Sequence, residues 1–159
     1  EILKVGGIDV VNTANNHALD FFDEGYQDTL EHLEAASIGH FGTLSPPGRT
    51  GVNRQLIVER KGVRIGFIGF TYPQESDLKH IQAAADRLRG EGCGIIILSL
   101  HWGRETHMTP SGAQYSFAKK ALEYDVDLIY GHHPHVIQPI ALYQGKPVLL
   151  APATSPSAP

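Results

Sequence analysis

Histidine gathers where short apolar runs stop. Asn15-Asn16-His17 follows the β-rich stretch 8–13, His101 follows the apolar run Ile95-Ile96-Ile97-Leu98-Ser99-Leu100, and His132-His133-Pro134-His135 follows Val126-Asp127-Leu128-Ile129-Tyr130. Neutral imidazole is the commonest protein ligand for first-row metals, and a His-x-His pair can direct two rings at one ion or at two neighbouring ions. An asparagine carbonyl beside such rings makes a mixed nitrogen and oxygen set that suits Mn, Fe or Zn. A closed thiolate zinc site is excluded, because Cys93 is the sole cysteine. Three loops spread over more than a hundred residues act together only if each leaves the carboxyl end of a strand in one open α/β sheet, where such sheets bind ligands. The other histidines read differently: His32, His40 and His80 fall on exposed helix faces or turns and are expected to be solvated, and His107 is left open. Trp102, next to His101, is either core or a pocket wall. Arg49, Arg54, Arg60, Lys61 and Arg64 read as the wet side of a hairpin, with an anionic substrate rim as the alternative.

The elements that must position these loops are legible as periodicities. Residues 24–36 carry Tyr26, Leu30 and Leu33 at spacings of four and three, the stripe of a helix packed on a sheet. Residues 39–51 read as turn material. Residues 52–60 and 63–70, joined by Lys61-Gly62, form a hairpin pattern, and Leu78, Ile81, Ala85 and Leu88 mark a second helix over 74–89. The run at 94–100 is continuously apolar, as in a parallel strand covered on both faces. A third helix starts at Thr109-Pro110 or Ser111, where Ser111 and Gln114 have capping-box spacing, and Phe117, Ala121 and Tyr124 mark its inner face. Residues 140–143 and 147–150 flank Gln144-Gly145-Lys146 as a last hairpin. Strand and helix alternation of this kind predicts an α/β sandwich on a mostly parallel sheet.

Composition narrows the function. The 159 residues carry 13 Lys+Arg against 17 Asp+Glu, a formal charge of −4, which argues against binding nucleic acid through phosphate contacts. No apolar run approaches the roughly 20 residues that span a bilayer, so no membrane segment is expected within this stretch.

Three motifs together resemble the bacterial CapA/PgsA capsule-synthesis family, a branch of the calcineurin-like metallophosphoesterases. They are Ala14-Asn15-Asn16-His17-Ala18-Leu19-Asp20, His101-Trp102-Gly103-Arg104-Glu105, and Gly131-His132-His133-Pro134-His135-Val136-Ile137-Gln138-Pro139, in that order over residues 1–150. The resemblance implies the metallophosphoesterase sandwich and a dimetal site. Asn16, His101 and His133 would ligate one ion and His135 the other. His17 would protonate a leaving oxygen or steady transition-state charge, and Asp20 would orient it. Trp102, Glu105 and His132 would face the substrate, with Glu105 at the pocket mouth.

The same resemblance places the acidic ligands of the first ion on one or two strands upstream of Glu1, so a fragment without them is expected to bind at most one divalent ion, weakly, to be nearly inactive, and to leave a bare sheet edge that promotes self-association. At the other end the family continues with a further strand, whereas residues 151–159 are rich in Pro, Ser and Ala and read as a disordered tail. GC-rich codons for Gly-Asn-Phe-Ser-Phe-Gly-Thr, read one base late, encode Ala153-Thr154-Ser155-Pro156-Ser157-Ala158-Pro159, so a frameshift near codon 150 is expected. Two functions fit the family: a metal-dependent hydrolase of a phosphoester or of an amide in a surface polymer such as poly-γ-glutamate, or a non-catalytic accessory or polymer-binding subunit of capsule synthesis and export. Either implies an anionic polymer or phosphorylated substrate, other capsule-synthesis subunits as partners, and work at the cell surface.

Overall fold

The computed structural model describes residues 2–44 and 53–152. A four-residue helix α1 (Ile2–Val5) leads into strand β1 (Val10–Asn12), helix α2 (Phe22–Ala35), β2 (Gly39–Thr43), β3 (Asn53–Arg54), β4 (Leu56–Arg60) and β5 (Val63–Thr71). A 3₁₀ turn (Glu75–Asp77) opens α3 (Leu78–Gly90), followed by β6 (Ile95–His101), α4 (Gly112–Ala121), β7 (Leu128–His132), β8 (Gln138–Tyr143) and β9 (Lys146–Ala151). Among the described residues, all nine strands join one sheet in the order β1-β2-β5-β6-β7-β9-β8, with β3 added to β2 and β4 to β5. Neighbours from β1 through β9 run parallel, while β4/β5 and β8/β9 are antiparallel hairpins. Each hairpin turns on two residues of positive φ, Lys61-Gly62 and Gln144-Gly145, the pattern of the tight turn whose twist matches the strands it joins.

One face of this sheet holds the main core. Ile68 and Phe70 of β5, Ile96, Leu98 and Leu100 of β6, Ile129 of β7 and Leu150 of β9 are all but fully buried against Leu78, Ile81, Ala85 and Leu88 of α3 and Phe117 and Ala121 of α4. Full burial of each such side chain is worth about 1.5–3 kcal/mol, which is what makes these short strands hold one register. Gly131 sits at the tightest point: a Cβ there would overlap the Leu150 carbonyl oxygen and the Trp102 indole nitrogen, so only glycine lets β7 lie against β9 beneath Trp102.

The opposite face is only half covered. Ile95 and Tyr130 are 39% and 38% exposed, and Val10, Phe41, Phe67, Ile97 and Leu128 line a shallow groove of about 690 Å³. The apolar run of β6 is therefore sealed on one side, where the helices lie, rather than on both as its composition implied.

Two other expectations are corrected. Residues 39–43 are a strand within the sheet, not turn material; two glycines in Gly39-His40-Phe41-Gly42-Thr43 mask a segment that earns its place by pairing with β1 and β5. His40, expected in solvent, is 6% exposed on that strand, with its Nε2 3.3 Å from Glu34 Oε1. The helices lie within a few residues of their expected spans, and Ser111 is the N-cap of α4: its hydroxyl accepts from Gln114 N while the Gln114 side chain accepts from Ser111 N. Arg49 and residues 153–159 lie outside the described residues.

Candidate metal centre

The parallel register sets the site. β6 and β7 end side by side, with His101 paired to His132, so two imidazoles from distant segments meet by strand geometry alone. Their Nδ1 atoms are 2.9 Å apart. On the other side of the sheet order, β1 delivers the loop 13–17. Asn12 Oδ1 accepts from Ala14 N at 2.8 Å and Asn15 Oδ1 from His17 N at 2.8 Å, two local side-chain turns that fold the loop back over the strand ends.

A continuous hydrogen-bonded chain results. Asp20 Oδ2 lies 2.8 Å from His17 Nδ1, His17 Nε2 3.2 Å from Asn16 Nδ2, and Asn16 Oδ1 2.8 Å from His101 Nε2. His132 Nε2 in turn lies 3.2 Å from both Asn12 Nδ2 and Ser99 Oγ. One set of neutral tautomers satisfies every contact. His17 Nδ1 donates to the Asp20 carboxylate, and the Asn16 amide donates to His17 Nε2. His101 Nε2 donates to the Asn16 carbonyl, and His132 Nδ1 donates to His101 Nδ1.

His133 and His135 come from the loop after β7. Both have positive φ, 103° and 56°, a backbone state costing on the order of 1–3 kcal/mol each for residues with a Cβ and found where a site is being shaped. The His133 ring lies 4.5 Å from that of His101 between centroids, and its Nε2 is 2.9 Å from the Tyr72 hydroxyl. Its Nδ1 is buried without a hydrogen-bond partner. The donor atoms of Glu105, His133 and His135 all lie within 4.8 Å of one another.

Electrostatics keep the rings neutral. Burial, followed by the fields of His132, His133, His135 and His17, pushes His101 down to about 3, and burial followed by His133 pushes His132 down to about 4. His133 is lowered as well, chiefly by burial, with Glu105 opposing. Burial, then Glu105, raises the Tyr72 phenol. Imidazoles held neutral, an unpaired buried ring nitrogen and a nearby asparagine oxygen together fit a divalent first-row ion.

Each residue singled out in the sequence can now be placed. Asn16 meets His101 and the His101 ring lies against that of His133 through the contacts above, and His135 adjoins His133 with ring centroids 6.1 Å apart. His17 and Asp20 stand at the exposed outer end of the hydrogen-bonded chain. His132 is held behind His101 by Asn12 and Ser99. Trp102 is both core and wall: it is 3% exposed, donates from Nε1 to Leu150 O at 3.0 Å, and edges a groove of about 610 Å³ shared with Tyr72, Arg104, His107, Gln114 and Phe117. Glu105 is exposed beside His133 and His135. Asn12, Ser99 and Tyr72 were not foreseen. Asn12 obeys the same strand-end logic as His101, Ser99 is the one polar residue in the β6 run, and Tyr72 has no local signal.

Residues 1–150 match the family described as "Bacterial capsule synthesis protein PGA_cap". The chain belongs to this capsule-synthesis family. It is 30% identical over 162 residues to the capsule biosynthesis protein CapA of Bacillus anthracis, covering 89% of this chain and 38% of the relative. It is 32% identical over 161 residues to a Mycobacterium tuberculosis protein named as a polyglutamine synthesis accessory protein, covering 86% and 42%. The chain thus spans about two fifths of the length of these relatives. Among solved structures, the 5'-nucleotidase precursor of Thermus thermophilus superposes with a TM-score of 0.65 at 19% identity, covering 95% of this chain and 34% of that one. The NAD nucleotidase of Haemophilus influenzae gives a TM-score of 0.58 at 18% identity, over 92% and 34%. The PGA_cap chain therefore has the metallophosphoesterase fold expected from its motifs.

Proposed function

We propose that this PGA_cap chain carries part of the active site of a metal-dependent hydrolase of capsular polymer metabolism, acting on a phosphoester or on an amide of a polyglutamate. The observation that supports this reading is that His101 meets both Asn16 and His133: Asn16 Oδ1 and His101 Nε2 lie 85 positions apart in sequence and 2.8 Å apart in space, and the His133 ring centroid is 4.5 Å from that of His101. Asn16, His101 and His133 would hold one divalent ion (Mn, Fe or Zn), with His101 in the tautomer that frees Nε2 and donates from Nδ1 to His132 Nδ1, and His135 would contribute to a second. A bound ion supplies positive charge that polarises a phosphoryl or carbonyl oxygen and acidifies water.

The chain's own residues supply the rest. Asp20 fixes the proton of His17 on Nδ1, so once Nε2 lets go of the Asn16 amide a second proton taken up there can pass to a departing oxygen. Asn16 joins His17 to the metal-side histidines, which sets the distance between acid and reacting centre. His132, anchored by Asn12 and Ser99, keeps the His101 ring in one orientation, the role that outer partners of ligating histidines commonly play. The groove beside Trp102 and Tyr72 offers a place for the substrate to lie.

The test uses the full-length protein. Release of phosphate or glutamate from model phosphoesters and γ-linked glutamate polymers should require added divalent metal, and His101→Ala should abolish it while leaving the thermal melt of the metal-free protein within a few degrees. Turnover unchanged by His101→Ala overturns the proposal. The naming of the Mycobacterium relative as an accessory protein favours a second reading, a polymer-binding subunit at the cell surface that acts with other capsule-synthesis subunits. Under it, His101→Ala leaves polymer binding intact.

A further inference from the structure

Glu105 looks at first like a residue for substrate, since it is exposed on the loop after β6. Its surroundings say otherwise. The loop is tied down on the far side of Glu105: Thr106 N donates to Pro134 O at 2.8 Å, and Gln138 Nε2 donates to His107 O at 2.8 Å. Both ties run to the segment around His133 and His135 and hold the Glu105 loop against it, with a carboxylate oxygen within 4.8 Å of a donor nitrogen on each ring. Pro134 itself sits between two residues of positive φ, so the backbone spends strain at the point where the Glu105 loop is attached.

We propose that Glu105 is a direct metal ligand, joining His135 on the second divalent first-row cation, beside the ion that Asn16, His101 and His133 would hold. Its donor oxygen and the donor nitrogens of His133 and His135 already lie within 4.8 Å of one another. Ligands about 2.1 Å from a shared ion stand roughly 3–3.4 Å apart, a contraction that a rotamer change of an exposed glutamate can supply. A carboxylate and one imidazole leave open positions for further ligands and for water or substrate, as in catalytic sites rather than closed structural ones. The carboxylate also brings the negative charge that a cluster of neutral imidazoles lacks. Its field already reaches the ring, since Glu105 is the group that opposes the downward shift of His133.

This inference rests on the metal-site reading, and the test separates the two. Zn²⁺ affinity of the 159-residue chain is measured by competition with a chromophoric chelator, and the Co²⁺ form is followed by its visible absorption. Wild type is compared with Glu105→Gln, Glu105→Asp, His135→Ala and Asp23→Asn, an exposed acid in α2. Metal-free melts monitored at Trp102 confirm that each variant is folded. Glu105→Gln should weaken Zn²⁺ binding by at least ~10–100-fold and change the Co²⁺ spectrum. Glu105→Asp should recover part of the affinity, and Asp23→Asn should bind as wild type does. Wild-type affinity in Glu105→Gln, with affinity lost in His135→Ala, overturns the role of Glu105 and leaves the metal site standing. No Zn²⁺ or Co²⁺ binding by the wild-type chain overturns both.

Discussion

Acid should destabilise the metal-free chain at a pH where most carboxylates are still ionised. His101 and His132 are held neutral in the fold, near 3 and 4, whereas an unfolded histidine titrates near about 6.5. Because the unfolded chain takes up these protons first, the stability they contribute is complete above pH ~6.5 and is lost as the pH falls from there toward 4. At pH 5 the unfolded state is favoured by 1.5 pH units per ring, or about 2 kcal/mol each and ~4 kcal/mol for the pair. The pair figure is an upper value, since the two rings touch and titrate together. Against a total of about 5–15 kcal/mol for a domain this is large. With a urea slope of ~2 kcal/mol/M, the denaturation midpoint should drop by up to about 2 M between pH 7.5 and pH 5 in the presence of a chelator. Trp102, the sole tryptophan, is buried beside His101 and reports the transition by fluorescence. His132→Gln should remove about half of the pH dependence. A midpoint that stays level from pH 7.5 to pH 5 refutes the reasoning that these rings are buried and neutral.

Three further outcomes concern the scaffold. Gly131→Ala must push β7 from β9 and break the Trp102 to Leu150 hydrogen bond, so it should cost about 3 kcal/mol or more, read as a lower urea midpoint at pH 7.5. Arg89 donates to the carbonyls of Cys93, Gly94 and Asp125 and to the Asp127 carboxylate; Arg89→Met should cost ~2–3 kcal/mol in the same assay. It should leave Zn²⁺ affinity untouched, because these contacts lie at the amino ends of β6 and β7. Ser111→Ala removes the N-cap of α4 and should cost about 1 kcal/mol, with circular dichroism still showing a folded chain.

Much of the scaffold was legible because its cues are local. The β6 run, the 3- and 4-residue spacings of α2 and α3 and the Ser111 cap depend only on neighbours in sequence, and strand-end histidines converge whenever the strands are parallel. What stayed hidden is set by contacts between distant segments. Gly39-His40-Phe41-Gly42-Thr43 becomes a strand only because β1 and β5 flank it, and His40 is buried with it. Ser99 reads as an interruption of an apolar run until His132 is brought alongside. The partners of Glu105 follow from two ties, Thr106 N to Pro134 O and Gln138 Nε2 to His107 O, which no spacing rule anticipates.

Under the proposed function, the separation of the site's members along the chain would tie metal loading to the completion of folding. Asn12 and His132 are 120 positions apart, and Asn16 and His101 are 85, so the entropy of closing those loops must be met by the sheet before the donors can meet. A chain emerging from the ribosome has no assembled centre until residue 135 is out and β7 has docked on β6, and parallel pairing of this kind is slow to form. An ion present at 100 times its Kd then adds ~2.7 kcal/mol to the folded state. Under the proposed function the metal would act as a late lock on a finished fold, and a nascent or misfolded copy would go without it.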